Sequence, residues 1–150
     1  MLCDARRPGL QSSDGGRLGL RVVTIDDVAR MAAELPEVTE GERHGNLTWF
    51  VAGKAFAWVR PFSKADLKRF GPTTPPEGPI VAVRVADLAD KEAVLSAGPR
   101  GFFTIPHFDG YAAVLIQLEK AGKNAVREAM VDAWLASAPQ HLADEYLSAE

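Results

Sequence analysis
The chain contains a single cysteine, Cys3, which excludes an internal disulfide and a cysteine metal cluster. No apolar run approaches the ~18 residues of a membrane span, so no membrane partner is expected. The phosphate loop, the dinucleotide glycine fingerprint, the HExxH helix and the G-x-S-x-G elbow are all missing. Internal repeats are absent as well. Arg6-Arg7 is followed by Pro8 and polar residues, not by the apolar run of a twin-arginine signal. Asn46-Leu47-Thr48 matches a glycosylation acceptor, which carries no meaning in a cytoplasmic protein. The expectation is a cytoplasmic protein with no cofactor, no metal site and no catalytic residues.

What is present suits one domain with a real core: 150 residues, 47% hydrophobic and 25% charged. Charge is uneven along the chain. Residues 1–23 are net +2, residues 24–42 are net −5, and residues 43–150 balance. The domain therefore has an acidic flank and a neutral remainder that can hide basic patches.

Residues 1–23 are rich in Gly, Ser and Arg without periodicity. They read as a flexible tail outside a single domain at 24–150. Thr24 suits an N-cap, with Asp27 completing a capping box. Ile25, Val28, Ala29, Ala32 and Leu35 then follow at helical spacing up to Pro36. Residues 38–45 suit a short strand entering a hairpin. Residues 47–51 and 55–59 are β-prone. Gly53-Lys54 between them suits a type II′ turn, which sets Trp49 opposite Trp58 and Val51 opposite Phe56. Ser63 caps a short helix with Asp66 at the box position, and residues 71–79 are a loop by composition. Ile80 to Val85 is a strand, and Asp87 caps a helix through Leu95. Asn124 suits the cap of the last long helix, which Ala138-Pro139 breaks before a short helix from Gln140 to Leu147.

Residues 101–118, GFFTIPHFDGYAAVLIQL, carry the strongest hairpin signal. Asp109-Gly110 between apolar runs suits a type I′ turn. Period two then places Phe103, Ile105, Val114 and Ile116 on one core-facing side, with His107 at the tip and Trp134 packed nearby. Pro106 cannot donate to a ladder, so the alternative is pairing that stops near Ile105, with PHFDGYA as a loop. Meandering strands with terminal helices indicate an α+β fold, an antiparallel sheet with helices packed on one face.

Arg60, Lys64, Lys68 and Arg69 cluster within ten residues, interleaved with Phe62 and Phe70. Clustered cations attract phosphates, and backbone contacts supply most non-specific nucleic-acid affinity. A solvated helix face explains the same residues. His107 beside Asp109 could act as a proton-transfer pair, but the turn alone accounts for Asp109 and a strand end for the histidine. The spacing of His44, His107 and His141 is not a metal-ligand signature.

The blocks LPEVTEGERHGNLTWFVAGKAFAWVRP, VAVRVADLADKEAVL, FFTIPHFDGYAAVLIQL and VREAMVDAWLASAP, taken in order, resemble the MmcQ/YjbR family across about residues 24–145. The resemblance implies an α+β fold like CyaY, the bacterial frataxin, and a double-wing DNA-binding motif. The family's GGKAF-like turn is matched at Ala52 to Phe56, its PHFDGY block at Pro106 to Tyr111 and its DAW block at Asp132 to Trp134. Where relatives often have arginine-tyrosine-glycine, this chain has Arg43-His44-Gly45.

The leading expectation is a small DNA-binding accessory or regulatory protein. Lys54 and the His107 tip would act as wings, and Arg60, Lys64, Lys68 and Arg69 would contact phosphates. A second reading is a small-molecule or protein-interaction module on an aromatic sheet face around Trp49 and Trp58. It would draw on Arg43, His44, Phe108, Asp109 and Tyr111. A third is frataxin-like metal binding by the acidic first helix through Asp26, Asp27, Glu34 and Glu37, since iron favours carboxylate oxygens. The tail reading gives a first test. A chain beginning at Val23 is expected to melt at nearly the temperature of the full chain, measured by circular dichroism.

Overall fold
The computed structural model describes residues 22–149, and its first helix begins where the capping signal predicts. Thr24 and Asp27 form the reciprocal box, and α1 runs Ile25–Ala33. Three strands follow, β1 (Val38–Arg43), β2 (Asn46–Val51) and β3 (Lys54–Val59). Ser63 and Asp66 box the start of α2 (Lys64–Phe70). Then come β4 (Ile80–Arg84), α3 (Leu88–Ala97), the two-residue β5 (Phe102–Phe103), a 3-10 turn at Pro106–Phe108 and β6 (Ala113–Gln117). Helices α4 (Lys123–Ser137) and α5 (Gln140–Ala149) end the described chain. The long helix starts two residues earlier than expected: Gly122, not Asn124, occupies its N-cap. Most of the proposed tail lies outside the described residues. Val23, placed in that tail on composition, is buried in the core.

The strands form one antiparallel sheet in the order β1-β2-β3-β4-β6-β5. The α+β class is as expected. On one side Val81, Val83, Val114 and Ile116 meet α1, α4 and α5 in the larger core. Trp134 sits at its centre, donating Nε1–H to the Pro36 carbonyl at 3.0 Å and lying against the Tyr146 ring. The other side is apolar too, with Ala55, Trp58, Ile80, Ala82 and Leu115. It is covered by α2 and the 3-10 turn through Phe62, Phe70 and Phe108, so the helices are not all on one face. We call this second side the open face.

Two registers differ from expectation. Turns with two successive left-handed residues close both early hairpins: His44-Gly45 (φ 55° and 79°) and Ala52-Gly53 (φ 51° and 78°). That geometry is the type I′ turn, whose twist matches paired strands, and it moves the turn one residue ahead of Gly53-Lys54. A bulge follows: Trp49 pairs with Ala57 but Phe50 with Ala55, leaving Phe56 as the extra residue. Trp49 consequently enters the helix-side core, whereas Trp58 lies on the open face opposite Thr48. A single face bearing both tryptophans does not form.

In the last hairpin Phe102 pairs with Ile116 and Phe103 with Leu115, one residue out from the expected register. Such a slip exchanges the faces. Phe103 and Ile105 belong to the open-face core, while Val114 and Ile116 belong to the helix side. The cause is the alternative that Pro106 raised. Pairing ends at Phe103, and Asp109 (φ −59°, ψ 130°) with Gly110 (φ 76°) makes a type II turn, closed by Tyr111 N–H to the Phe108 carbonyl at 3.0 Å. Burial of Ile105, Val114 and Ile116 still holds. Ile105→Ala is expected to destabilise the fold by roughly 2–5 kcal/mol, through lost burial and a residual cavity, and Val114→Ala in the same direction. Urea titration followed by tryptophan fluorescence measures both.

Candidate functional site
The open face gathers arginines over aromatic rings. Trp58 projects from β3 and is 9% exposed. The Arg43 guanidinium, at the end of β1, lies 5.6 Å from the Trp58 ring centroid. The Arg84 guanidinium, at the end of β4, lies 5.8 Å from Trp58 and 5.4 Å from Tyr111. Trp58 and Tyr111 are themselves 6.4 Å apart, and Tyr111 meets Phe108 edge-on at 5.5 Å. Cations over such rings gain about 0.5–1 kcal/mol at exposed sites. Arg84 is further oriented by its Nε–H, which donates to the Ala55 carbonyl at 2.8 Å. Among the described residues, no carboxylate pairs with Arg43 or Arg84.

The expected cationic cluster divides into structural and free members. Arg60 is directed inward. It pairs with Asp66 at 3.0 Å, donates to the Pro61 carbonyl and lies 5.5 Å from the Phe108 ring. Asp66 has a 1% exposed side chain and also attracts Arg69 at 3.7 Å. Burial opposes ionisation of Asp66. The Ser63 backbone and side-chain hydrogen bonds and the Arg60 charge outweigh it and hold the carboxyl below its usual range. Arg60 therefore ties α2 to the 3-10 turn, and Lys54, Lys64 and Lys68 remain exposed.

Lys91 of α3 makes a second tie. It is 7% exposed, and its Nζ donates to the Phe108 and Tyr111 carbonyls at 2.6 and 2.8 Å. Burial lowers its pKa, and the nearby Asp109 charge partly offsets this. Both carbonyls flank the Asp109-Gly110 turn, so Lys91 fixes the loop that carries Phe108 and Tyr111.

The structure thus joins Arg43, Arg60, Trp58, Phe108 and Tyr111, and it leaves other candidates apart. Trp49 faces the helices and donates Nε1–H to Glu40 at 3.1 Å. His44 is an exposed turn residue, a role that its left-handed φ explains. His107 and Asp109 are exposed, and no hydrogen bond joins them. In the acidic helix, Asp27 is committed to the N-cap and to Arg30, and Glu34 to Arg127. Among the described residues no group of three His, Cys, Asp or Glu is placed to hold a metal ion. No helix among them is long and apolar enough to cross a membrane. Arg84 and Lys91 were missed from sequence. Arg84 had a signal, a lone charge in the apolar run IVAVRV, whereas Lys91 in LADKEAVL looks like any solvated helix position.

The fold and this surface define an α+β protein with a cation–aromatic sheet face. The chain belongs to the YjbR family, whose model matches residues 33–136. It is 42% identical over 130 residues to uncharacterized proteins of Mycobacterium bovis and Mycobacterium tuberculosis, covering 85% of this chain and 98% of each relative. No solved structure matches the chain.

Asp66 carries a pH signature. Its folded pKa is lowered from 3.8, so its stabilisation is present above that value and lost as pH falls through the lowered one. Asp66→Asn is expected to flatten the loss of stability below pH 3.8, measured by chemical denaturation across pH. Arg60→Ala, which leaves Asp66 under-satisfied, is expected to cost ~1–3 kcal/mol at neutral pH.

Proposed function
We propose that this protein is a non-catalytic DNA-binding accessory or regulatory protein that contacts DNA with the open face. The observation that supports this is the pair of guanidiniums, Arg43 and Arg84, lying on Trp58 and Tyr111 with no carboxylate partner among the described residues. Guanidinium groups match phosphate geometry, and guanidinium planes held over aromatic rings offer flat faces on which unpaired bases stack. Two loops flank Arg84 and could serve as the wings. Ala55, which follows the Ala52-Gly53 turn, accepts its hydrogen bond, and Ala113, which follows the Asp109-Gly110 turn, is its strand partner. Lys54, Lys64 and Lys68 would add peripheral phosphate contacts. A chain of net charge −3 repels a polyanion away from that patch, so affinity is expected near the non-specific range of ~10⁻⁴–10⁻⁶ M.

A second reading, a small planar anion on the same rings, is supported by the Trp58–Tyr111 pair. Fluorescence anisotropy with single-stranded and duplex DNA over a salt series distinguishes them. Arg43→Ala with Arg84→Lys is expected to weaken single-strand binding about tenfold or more, since stacking contributes ~1–3 kcal/mol per base. Lys64→Ala with Lys68→Ala should weaken every sequence alike and reduce the salt slope. Absence of binding at low salt, or undiminished binding in the arginine variant, would reject this surface. Displacement of the DNA by a free mononucleotide at comparable concentration would favour the small anion.

A further inference from the structure
On the helix side of the sheet, α3 and α4 do not close together, and a cavity of about 220 Å³ lies between them. Val83 and Val114 of the sheet form part of its lining, with Val94 of α3 and Ala129 of α4 beside them. Asp90, Glu128 and Asp132 also line it. Arg84 contributes to the lining, but its guanidinium is committed to Trp58, Tyr111 and the Ala55 carbonyl on the opposite side of the sheet. The cavity therefore combines apolar surface with three carboxylates and no available cation.

The acids stand at the rim of the cavity: Glu128 and Asp132 are exposed and Asp90 is half-buried. Glu128 and Asp132 are four residues apart on α4, a spacing at which like charges repel. Asp90 adds a third negative charge from α3. None of the three has an ion-pair partner among the described residues. Partial desolvation beside the cavity raises the pKa of Asp132, and the Asp90 and Glu128 charges add to this. In the Asp132-Ala133-Trp134 block the alanine and tryptophan are buried core, whereas Asp132 is exposed. An apolar cavity with a few charged groups converging on its rim is suited to binding a ligand of opposite charge.

We propose that this cavity binds a small organic monocation, an ammonium or guanidinium group carried on a short apolar body. The apolar part rests on Val83 and Val114, and the cation sits among Asp90, Glu128 and Asp132. Charge complementarity selects the cation. Among the described residues no group of three His, Cys, Asp or Glu is placed to hold a metal ion, and the apolar lining suits an organic cation. The volume lies below the ~300–1,000 Å³ of drug-sized pockets, so the body is small. The site lies across the sheet from the open-face arginines and stands independently of any DNA binding.

Isothermal titration calorimetry on the full chain tests this with three probes of similar shape: phenethylammonium, 2-phenylethanol and 3-phenylpropionate. The ammonium should bind, the alcohol about tenfold more weakly or worse, and the carboxylate not at all, as expected for a charge-assisted contact. Asp132→Asn should weaken the ammonium about tenfold without lowering the melting temperature of the free protein at neutral pH, which shows that the variant folds. Ala129→Leu, which fills the cavity without altering charge, should abolish binding. Equal binding of ammonium and alcohol, no binding of the ammonium, or undiminished binding in Asp132→Asn would overturn the proposal. Binding of a lysine-rich peptide in place of the ammonium would overturn it too, by assigning the surface to a protein partner.

Discussion
Strands β4 and β6 are buried on both faces, and the remaining architecture answers that constraint. Val81, Val83, Val114 and Ile116 look toward the helices, while Ile80, Ala82, Ala113 and Leu115 look the other way. Apolar surface on both sides needs two covering layers. Helices α1, α4 and α5 supply one. The other has no long helix, so the short α2, the 3-10 turn and aromatic side chains must serve. That thinner cover ends at Trp58 and Tyr111, where arginine stems and guanidiniums shield what remains. The candidate interface is thus a consequence of how the second core is closed.

Charged groups hold this cover in place. Arg60 joins the buried cap of α2 to Phe108, and Lys91 reaches from α3 to the carbonyls around the Asp109-Gly110 turn. A buried ion pair or lysine is costly unless every donor finds an acceptor, and here the partners are backbone carbonyls and a capped carboxylate. The aromatic loop is therefore positioned by polar ties as much as by packing. Cations of one type along the chain have separate tasks: Arg60 and Lys91 are structural, while Arg43 and Arg84 have no carboxylate partner among the described residues.

The two sides of the sheet also differ in electrostatic character. Among the described residues, the open face carries guanidiniums without carboxylate partners, and the groove between α3 and α4 carries carboxylates without ion-pair partners. A net charge of −3 conceals both. Local fields, more than the total, decide which ligands approach which side.

Features that depend on neighbours along the chain were legible from the residues. The capping boxes at Thr24-Asp27 and Ser63-Asp66 formed as read, because each closes hydrogen bonds over three positions. Burial of Ile105, Val114 and Ile116 was legible too, since their hydrophobicity requires an interior whichever side they face. Facing was not legible. An extra residue at Phe56 and pairing that ends at Phe103 each shift the pattern by one position, and with a period of two that transfers side chains across the sheet. The candidate site was half visible. Arg43, Trp58, Phe108 and Tyr111 stood out by type, but their meeting with Arg84, and the support of Lys91, exist only once strands and loop from distant parts of the chain are paired. Local hydrogen bonds and hydrophobicity are properties of residues and near neighbours, whereas register and the convergence of charges are properties of the packed whole.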